Sequence, residues 1–453
     1  MSDRKNVIWI FGDQHRGQAL GCNGDPNVHT PAIDALAARG TNFTNTVAGY
    51  PLCCPFRGSL LTSIYPHRCV PGHQYQLDPG CKTIAHVFGE AGYRTAYIGK
   101  WHLDGCKEEH ENTTMHVIPP ERRGGFQTWV AYENNNKQWD TWVHGETDDK
   151  PFQYRLPDYE TDELATILIT YIEGIRREMD TTGNEIPFFA VLSVQPPHNP
   201  YLAPEEYMDR YFDQLCRPFP LKMRENVPSN PKIVEQATRE LAGAYAMIEN
   251  LDWNVGRVMK ALEDMNLAND THVFFFSDHG DMHGSHGYFR KTAPYEESIR
   301  IPFIIRPAIS ASEADGAPRI SGVPLNHVDI APTTLGICGL EIPAWMEGTD
   351  YSHAITGHDP TGDEPGSAYL QYLIPTGQDD CIDKPWRGIV TADGWKYICF
   401  ENTDWLLFNL NEDPLEQVNL AHYSRYRKKK AELRELLRDW VERTKDTFPI
   451  PSR

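Results

Sequence analysis

Short apolar runs alternate with longer stretches of helical periodicity along most of this chain. Asn6–Phe11, Thr95–Gly99, Phe188–Val194 and His272–Phe276 are apolar runs of strand length. Helical patterns fall between them at Pro31–Arg39, which opens with proline, and at Pro55–Ile64, Ile84–Ala91, Asp162–Arg177 and Glu235–Asn266. Strands alternating with helices predict an α/β fold with a large, mostly parallel sheet flanked by helices. Gly105–Arg155 breaks this rhythm. It is polar and weakly patterned, with Trp129, Tyr132, Trp139, Trp142, Phe152 and Tyr154 interleaved with Asn134–Asn136. It reads as a long excursion from the sheet, either a stacking wall for a sugar or aryl group or a surface packed on the body or a partner subunit.

From about Thr361 the pattern shortens to β-like runs at Ala368–Leu373, Gly388–Thr391, Trp395–Phe400 and Trp405–Asn409. Arg425–Thr444 then forms an amphipathic helix with Leu433, Leu436, Leu437, Trp440 and Val441 on one stripe. The expected division is a large α/β domain over residues 1–360 and a small C-terminal α+β domain with antiparallel strands over 361–453.

Composition narrows the picture. With 453 residues, 40% apolar and 23% charged, the chain can bury one sizeable core and a smaller one. No apolar run reaches the length of a membrane span, and Val7–Phe11 is too short for a secretion signal, so no membrane partner and a cytoplasmic location are expected. A net charge of −20 argues against non-specific nucleic-acid binding but leaves room for a small cationic pocket and an anionic substrate. Ten cysteines in so long a chain do not make a disulfide framework, and none is spaced C-x-x-C.

The candidate chemistry clusters where strands end. Asp13 and Gln14 follow the first strand, Lys100 and His102 the second, His198 the third, and Asp278 and His279 the fourth. In open α/β sheets the ligand crevice lies beyond the carboxyl ends of the strands, so these groups are expected to converge. The segment Pro51–Thr62 (PLCCPFRGSLLT) adds a fifth element. With Pro55 opening a helix, Cys53 is expected just ahead of the N-terminus, where free N–H groups and the dipole would lower a thiol pKa. The plainer alternative is a buried structural cysteine.

Cys53-x-Pro55-x-Arg57 with Leu60-Leu61-Thr62 resembles the signature of the type I sulfatases of the alkaline phosphatase superfamily. The resemblance extends over nearly the whole chain. It includes Asn6–Asp13, Gly99-Lys100-Trp101-His102, Pro197-His198, and Ser277-Asp278-His279-Gly280 followed by His286-Gly287 and Lys291. Further along it includes Asp329-Ile330-Ala331-Pro332-Thr333 and the run from Trp395-Lys396-Tyr397 to Asp413-Pro414. The resemblance implies that a formylglycine-generating enzyme oxidises Cys53, giving an aldehyde whose hydrate is the nucleophile. Cys54 fills a variable position, and Phe56 stands where the family usually has a small residue.

By the same resemblance Asp13, Gln14, Asp278 and His279, with the oxygen made from Cys53, would hold one divalent cation. Oxygen donors with one imidazole suit Ca²⁺ or Mn²⁺ better than Zn²⁺. Arg57 would steady the formylglycine, Lys100 and Lys291 would hold sulfate oxygens, and His102 would hydrogen-bond the hydrate. His198 would contact the sulfate or protonate the leaving oxygen. The expected activity is hydrolysis of a small anionic ester, a sulfate monoester of an aryl, alkyl or carbohydrate alcohol. The alternative on the same scaffold is a phosphonate monoester or phosphodiester hydrolase, and a third reading is an inactive relative that only binds anions or partners. A zinc cluster of His279, His283 and His286 is a rival reading; His283 and His286 are expected instead to fasten a loop. His15, His29, His67, His73 and His86 are expected on the surface or satisfied in the core. A homo-oligomer is compatible with the chain.

Overall fold

The computed structural model describes residues 4–107, 112–147, 150–308, 319–357, 364–377 and 379–452. Its main sheet has ten strands: β1 (Asn6–Gly12), β2 (Thr41–Phe43), β3 (Arg94–Lys100), β4 (Thr128–Tyr132), β5 (Trp142–Thr147), β6 (Lys150–Arg155), β7 (Phe188–Ser193), β8 (Thr271–Ser277), β9 (Phe303–Arg306) and β10 (Arg319–Ser321). Their order is β10-β2-β9-β8-β1-β7-β3-β4-β5-β6. The centre, β8-β1-β7-β3-β4, is parallel throughout. β9, β5 and β6 add to it antiparallel.

All seven residues of β1 are buried, as expected of a strand covered on both faces. Alternate side chains point to opposite layers. Val7, Trp9 and Phe11 pack with Phe56, Leu60 and Phe88. Ile8 and Ile10 pack with Leu164, Leu168, Val255 and Leu262 from helices Glu160–Thr182 and Pro231–Asp264. Each strand-length run of the sequence forms a strand within a residue of its expected ends.

The excursion at Gly105–Arg155 is a correction. β4, β5 and β6 extend the sheet rather than leave it. Trp129 and Tyr132 are buried in the body, and the Trp129 ring stacks on Tyr97 at 5.3 Å and meets Trp101 edge-on at 5.1 Å. The strands escape a pattern search because β6 lies at the sheet's edge, where only Phe152 is even partly buried. β2, β9 and β10, of three or four residues each, are too short to carry a period.

A second sheet, β11 (Ser367–Tyr372), β12 (Trp386–Thr391), β13 (Trp395–Phe400) and β14 (Thr403–Asn409), is an antiparallel meander. One face carries Tyr369, Ile389, Tyr397 and Leu407 against Leu433, Leu437, Trp440 and Val441 of helix Arg427–Thr444. The other lays Leu370, Tyr372, Val390, Ile398 and Phe408 on Val47, Tyr50 and Leu52. The Gln371 N–H donates to the Gly49 carbonyl at 2.6 Å, and Tyr50 Oη accepts the Leu373 and Ile374 N–H groups. The small sheet thus braces the strap leading into Cys53. The expected boundary at residue 360 lies outside the described residues.

Candidate active site

The helix expected at Pro55 begins two residues earlier and spans Cys53–Thr62, with every residue buried. Cys53 therefore stands in the first turn instead of ahead of it, and its thiol is not activated. Burial, reinforced by Asp13, pushes Cys53 up to about 12 from a reference of 9.0. That difference is worth about 4 kcal/mol, against roughly 0.3–1 kcal/mol from a helix terminus. Desolvation wins, and the unmodified residue is a neutral thiol at pH 7.

Around Cys53 the strand ends converge as the topology predicts. Its Sγ lies 3.5 Å from Asp13 Oδ1, 3.2 Å from His279 Nε2 and 3.2 Å from Lys291 Nζ. Asp13, Cys53, Asp278 and His279 bring donor atoms within 4.8 Å of one another, all buried. Arg57 reaches up from the helix and donates to Asp278 Oδ2 from Nε and Nη2, and to Asp13 Oδ2 at 3.3 Å. Its Nη1 binds the Lys100 carbonyl and Ser193 Oγ, tying the helix to β3 and β7. Lys100 Nζ donates to Asp13 Oδ2 at 2.6 Å. Burial alone would raise the Asp13 pKa, but Lys100, with Lys291 and Arg57, outweighs it and holds the carboxyl well below the usual range.

Gly99 makes the approach of Lys100 possible: its φ is +105°, and a Cβ there would sit 1.9 Å from the Ser193 carbonyl oxygen. Gln14 sits at φ +69° with its backbone N–H on Asp278 Oδ1 at 3.0 Å. Its Nε2 donates to Asp281 Oδ2 at 2.5 Å, which fixes which end of the amide is oxygen. Gln14 Oε1 is left buried with no hydrogen-bond partner among the described residues. His198 Nδ1 lies 2.6 Å from the Asn199 carbonyl, and its Nε2 lies 3.1 Å from Lys291 Nζ. Burial and then Lys291 keep that ring neutral, its pKa far below the usual value.

Gln14, Cys53, Lys100, His198 and Lys291 form the floor of a cavity of about 220 Å³, walled by His73, His102, Asn134, Asn136, Asn199, Arg290 and Asp380, with Asp13, Arg57, Asp278 and His279 buried behind that floor. The wall chooses between two alternatives left open by the sequence and corrects one expectation. None of the six aromatic side chains of 105–155 lines it; the asparagines between them do. His73, expected on the surface or in the core, faces the cavity, and its ring meets His102 edge-on at 5.3 Å. Arg290 and Asp380 had no sequence signal, because neither follows a strand nor falls in a recognisable motif. Cys54, beside the site residue, points to His73 Nδ1 at 3.8 Å.

Other expectations hold by geometry. His283 and His286 are apart from His279: His283 lies against Tyr201 and Asp281, and His286 stacks on Tyr295 at 4.0 Å. His15 and His67 meet backbone carbonyls, and His86 caps its own helix. Phe56 is accommodated by His327, whose ring stacks on it at 4.7 Å. None of the ten cysteines forms a disulfide among the described residues.

The family model described as Sulfatase matches residues 5–340. The chain belongs to the sulfatase family. A second model, N-sulphoglucosamine sulphohydrolase, C-terminal, matches residues 284–443 of this sulfatase. An ulvan-active sulfatase of Formosa agariphila is 35% identical over 92% of this chain and 77% of its own length. An endo-4-O-sulfatase of Bacteroides thetaiotaomicron is 31% identical over 86% of this chain and 82% of its own. Among solved structures, the yidJ protein of Bacteroides fragilis superposes with a TM-score of 0.83 at 30% identity, covering 99% of this sulfatase and 97% of that chain. A phosphonate monoester hydrolase of Agrobacterium radiobacter shares the fold, with a TM-score of 0.76 at 23% identity over 97% and 96% of the two chains. The protein is a sulfuric ester hydrolase acting on sulfate monoesters, in a family that uses a divalent metal and formylglycine.

Proposed function

We propose that the protein cleaves a carbohydrate sulfate, with the hydrate of a formylglycine made from Cys53 as nucleophile. The observation that carries this is the environment of Cys53 Sγ, within 3.5 Å of Asp13, His279 and Lys291 at once. The carbohydrate half is supported by the wall, where Asn134, Asn136, His73 and Asp380 offer hydrogen bonds to hydroxyls and no aromatic face to an aryl group. The relatives named for ulvan, for endo-4-O-sulfate and for N-acetylglucosamine-6-O-sulfate support the same class.

The donor set fits one hard or borderline cation: two buried carboxylates, one imidazole, and a Gln14 oxygen that has no other partner. Asp13, Gln14, Asp278 and His279 would hold it, with the imidazole favouring Mn²⁺ over Ca²⁺. Such an ion makes a hydroxyl of the hydrate easier to ionise and offsets charge at sulfur.

The remaining roles follow from position. Arg57 fixes Asp13 and Asp278 and orients the first turn of the helix. Lys100 and Lys291 hold sulfate oxygens as charge grows on the leaving group. His198 aims Lys291 at the sulfate rather than supplying a proton: its Nδ1–H is committed to Asn199, and its unprotonated Nε2 receives the Lys291 N–H. His102, on the wall of the same cavity, would take the proton of the hydroxyl left unsulfated, so that the carbon collapses to an aldehyde and sulfate leaves. With Cys53 2% exposed in a packed helix, the maturation enzyme must act before this segment folds.

A peptide mass spectrum across Cys53 should show the aldehyde or its hydrate, and Cys53→Ala should be inactive. An intact thiol in fully active protein would overturn the reading. Parallel rates on nitrophenyl sulfate and nitrophenyl phenylphosphonate should favour the sulfate.

A further inference from the structure

The loop that carries His102 is folded around a buried carboxylate from the neighbouring strand. β3 and β4 continue as a ladder beyond Lys100: the Trp101 N–H donates to the Tyr132 carbonyl at 2.8 Å and the His102 N–H to the Glu133 carbonyl at 2.7 Å. At His102 the backbone turns into the left-handed region, with φ +57°, which a non-glycine residue avoids unless the surroundings impose it. The imposing group is the Glu133 side chain. Its Oε2 accepts the Leu103 N–H at 3.2 Å, both oxygens accept the Asp104 N–H at 2.9 and 3.1 Å, and Oε1 accepts the Cys106 N–H at 3.4 Å.

Successive N–H groups after a left-handed residue form a concavity that binds an acceptor group, and here the carboxyl that fills it comes from the chain itself. Glu133 is 1% exposed, and none of these bonds reaches into the cavity itself. The next residues on its strand end, Asn134 and Asn136, line the cavity opposite Lys100 and His102.

We propose that Glu133 is a positioning residue for the sulfatase reaction, holding His102 in its left-handed conformation on the wall of the cavity that Cys53 also lines, by gripping residues 103–106. This rests on the role assigned above to His102. Glu133→Gln keeps the volume and one acceptor oxygen but turns an NH2 donor onto donors, so the turn loses its grip. Glu133→Asp keeps the charge on a shorter arm.

The test measures steady-state kinetics on nitrophenyl sulfate, per formylglycine-bearing site counted by mass spectrometry. For Glu133→Gln, kcat should fall about tenfold to a hundredfold, the range for a displaced catalytic group, with KM nearly unchanged. Glu133→Asp should recover part of the loss. In a His102→Ala background, Glu133→Gln should cost nothing further, because the two changes act through one group. Wild-type kcat per site in Glu133→Gln, or a loss that multiplies with that of His102→Ala, would overturn the proposal. Wild-type turnover in His102→Ala alone would instead sink the role given to His102. A stability loss without a change of kcat per site would mean Glu133 is only structural.

Discussion

Asp13 and Asp278, buried behind the cavity floor, lie against Arg57, and Asp13 also against Lys100. Glu133, just past the end of β4, and Glu160, the first residue of helix Glu160–Thr182, are equally buried, but among the described residues only uncharged N–H and O–H groups donate to them. Burial works against the charge in both places. Behind the floor the cations outweigh it and Asp13 stays ionised. Behind the wall nothing does: burial, then Asp104, pushes Glu133 up to about 7, and burial pushes Glu160 to about 7 despite Tyr132 and Gln195. The floor keeps charge available for metal and sulfate, while the wall uses carboxylates as hydrogen-bond acceptors that shape loops. Changes on the floor should therefore strike turnover, and changes behind the wall should strike geometry or stability.

The largest effect belongs to the nucleophile. Cys53→Ala should lower kcat by roughly four to six orders of magnitude, measured on nitrophenyl sulfate, while the fold persists because the small side chain fills the same helix turn. Activity within tenfold of wild type would mean that the floor is not the reaction centre. Lys100→Ala comes next. It should lower kcat about 10²–10³-fold, the scale for removing one charge-stabilising donor. It should also destabilise by about 3–5 kcal/mol, since Asp13 keeps its burial but loses its nearest cation. Kinetics and denaturant unfolding of the same preparation check both; a change in only one would separate catalysis from the ion pair.

The wall should respond differently. Asn136 lines the cavity and accepts a hydrogen bond from Gln195 Nε2 at 3.1 Å. Asn136→Ala should raise KM for a carbohydrate sulfate about tenfold, the loss of one or two hydrogen bonds, and leave kcat within about threefold. Nitrophenyl sulfate should hardly register the change. A kcat loss as large as that of Lys100→Ala would erase the distinction between floor and wall.

The same distinction explains what the sequence could show. Floor residues and those buried behind them sit at the ends of β1, β3 and β8 or in the helix that opens at Cys53, so strand-length runs and one motif locate Asp13, Lys100, Asp278 and Arg57. The parallel core was legible for the same reason, its strands being buried on both faces. Wall residues come from loops brought together only by folding. His73 lies twenty residues beyond Cys53, and Asp380 arrives from the small sheet's first loop; no periodicity links either to Cys53. β4 was hidden because it is a five-residue run inside a polar stretch and β5 because four of its six residues are His, Gly, Glu and Thr, and the thiol pKa was misjudged because burial, invisible in sequence, exceeds the helix-end effect.

The smallest effect is the most specific to the wall. Glu160 Oε1 accepts Tyr132 Oη–H at 2.6 Å and the Gln195 N–H at 2.7 Å, and so joins β4 to the loop that holds Asn136. Because its pKa is raised from 4.5 to about 7 on folding, the folded chain keeps a proton that the unfolded chain has lost between those values. Stability therefore falls as pH rises from about 4.5 and levels off above about 7. Glu160→Gln accepts the same two bonds through its carbonyl oxygen and cannot titrate. Its amide nitrogen lacks an acceptor where Oε2 lacks a donor, a cost of about 1–3 kcal/mol that does not vary with pH. The diagnostic is thus the difference between urea unfolding at pH 5 and at pH 8, which should shrink by up to about 3 kcal/mol in the variant. Glu133, raised in the same direction, leaves a residual slope. An undiminished difference would mean that Glu160 stays ionised, and the wall would then hold its charge as the floor does.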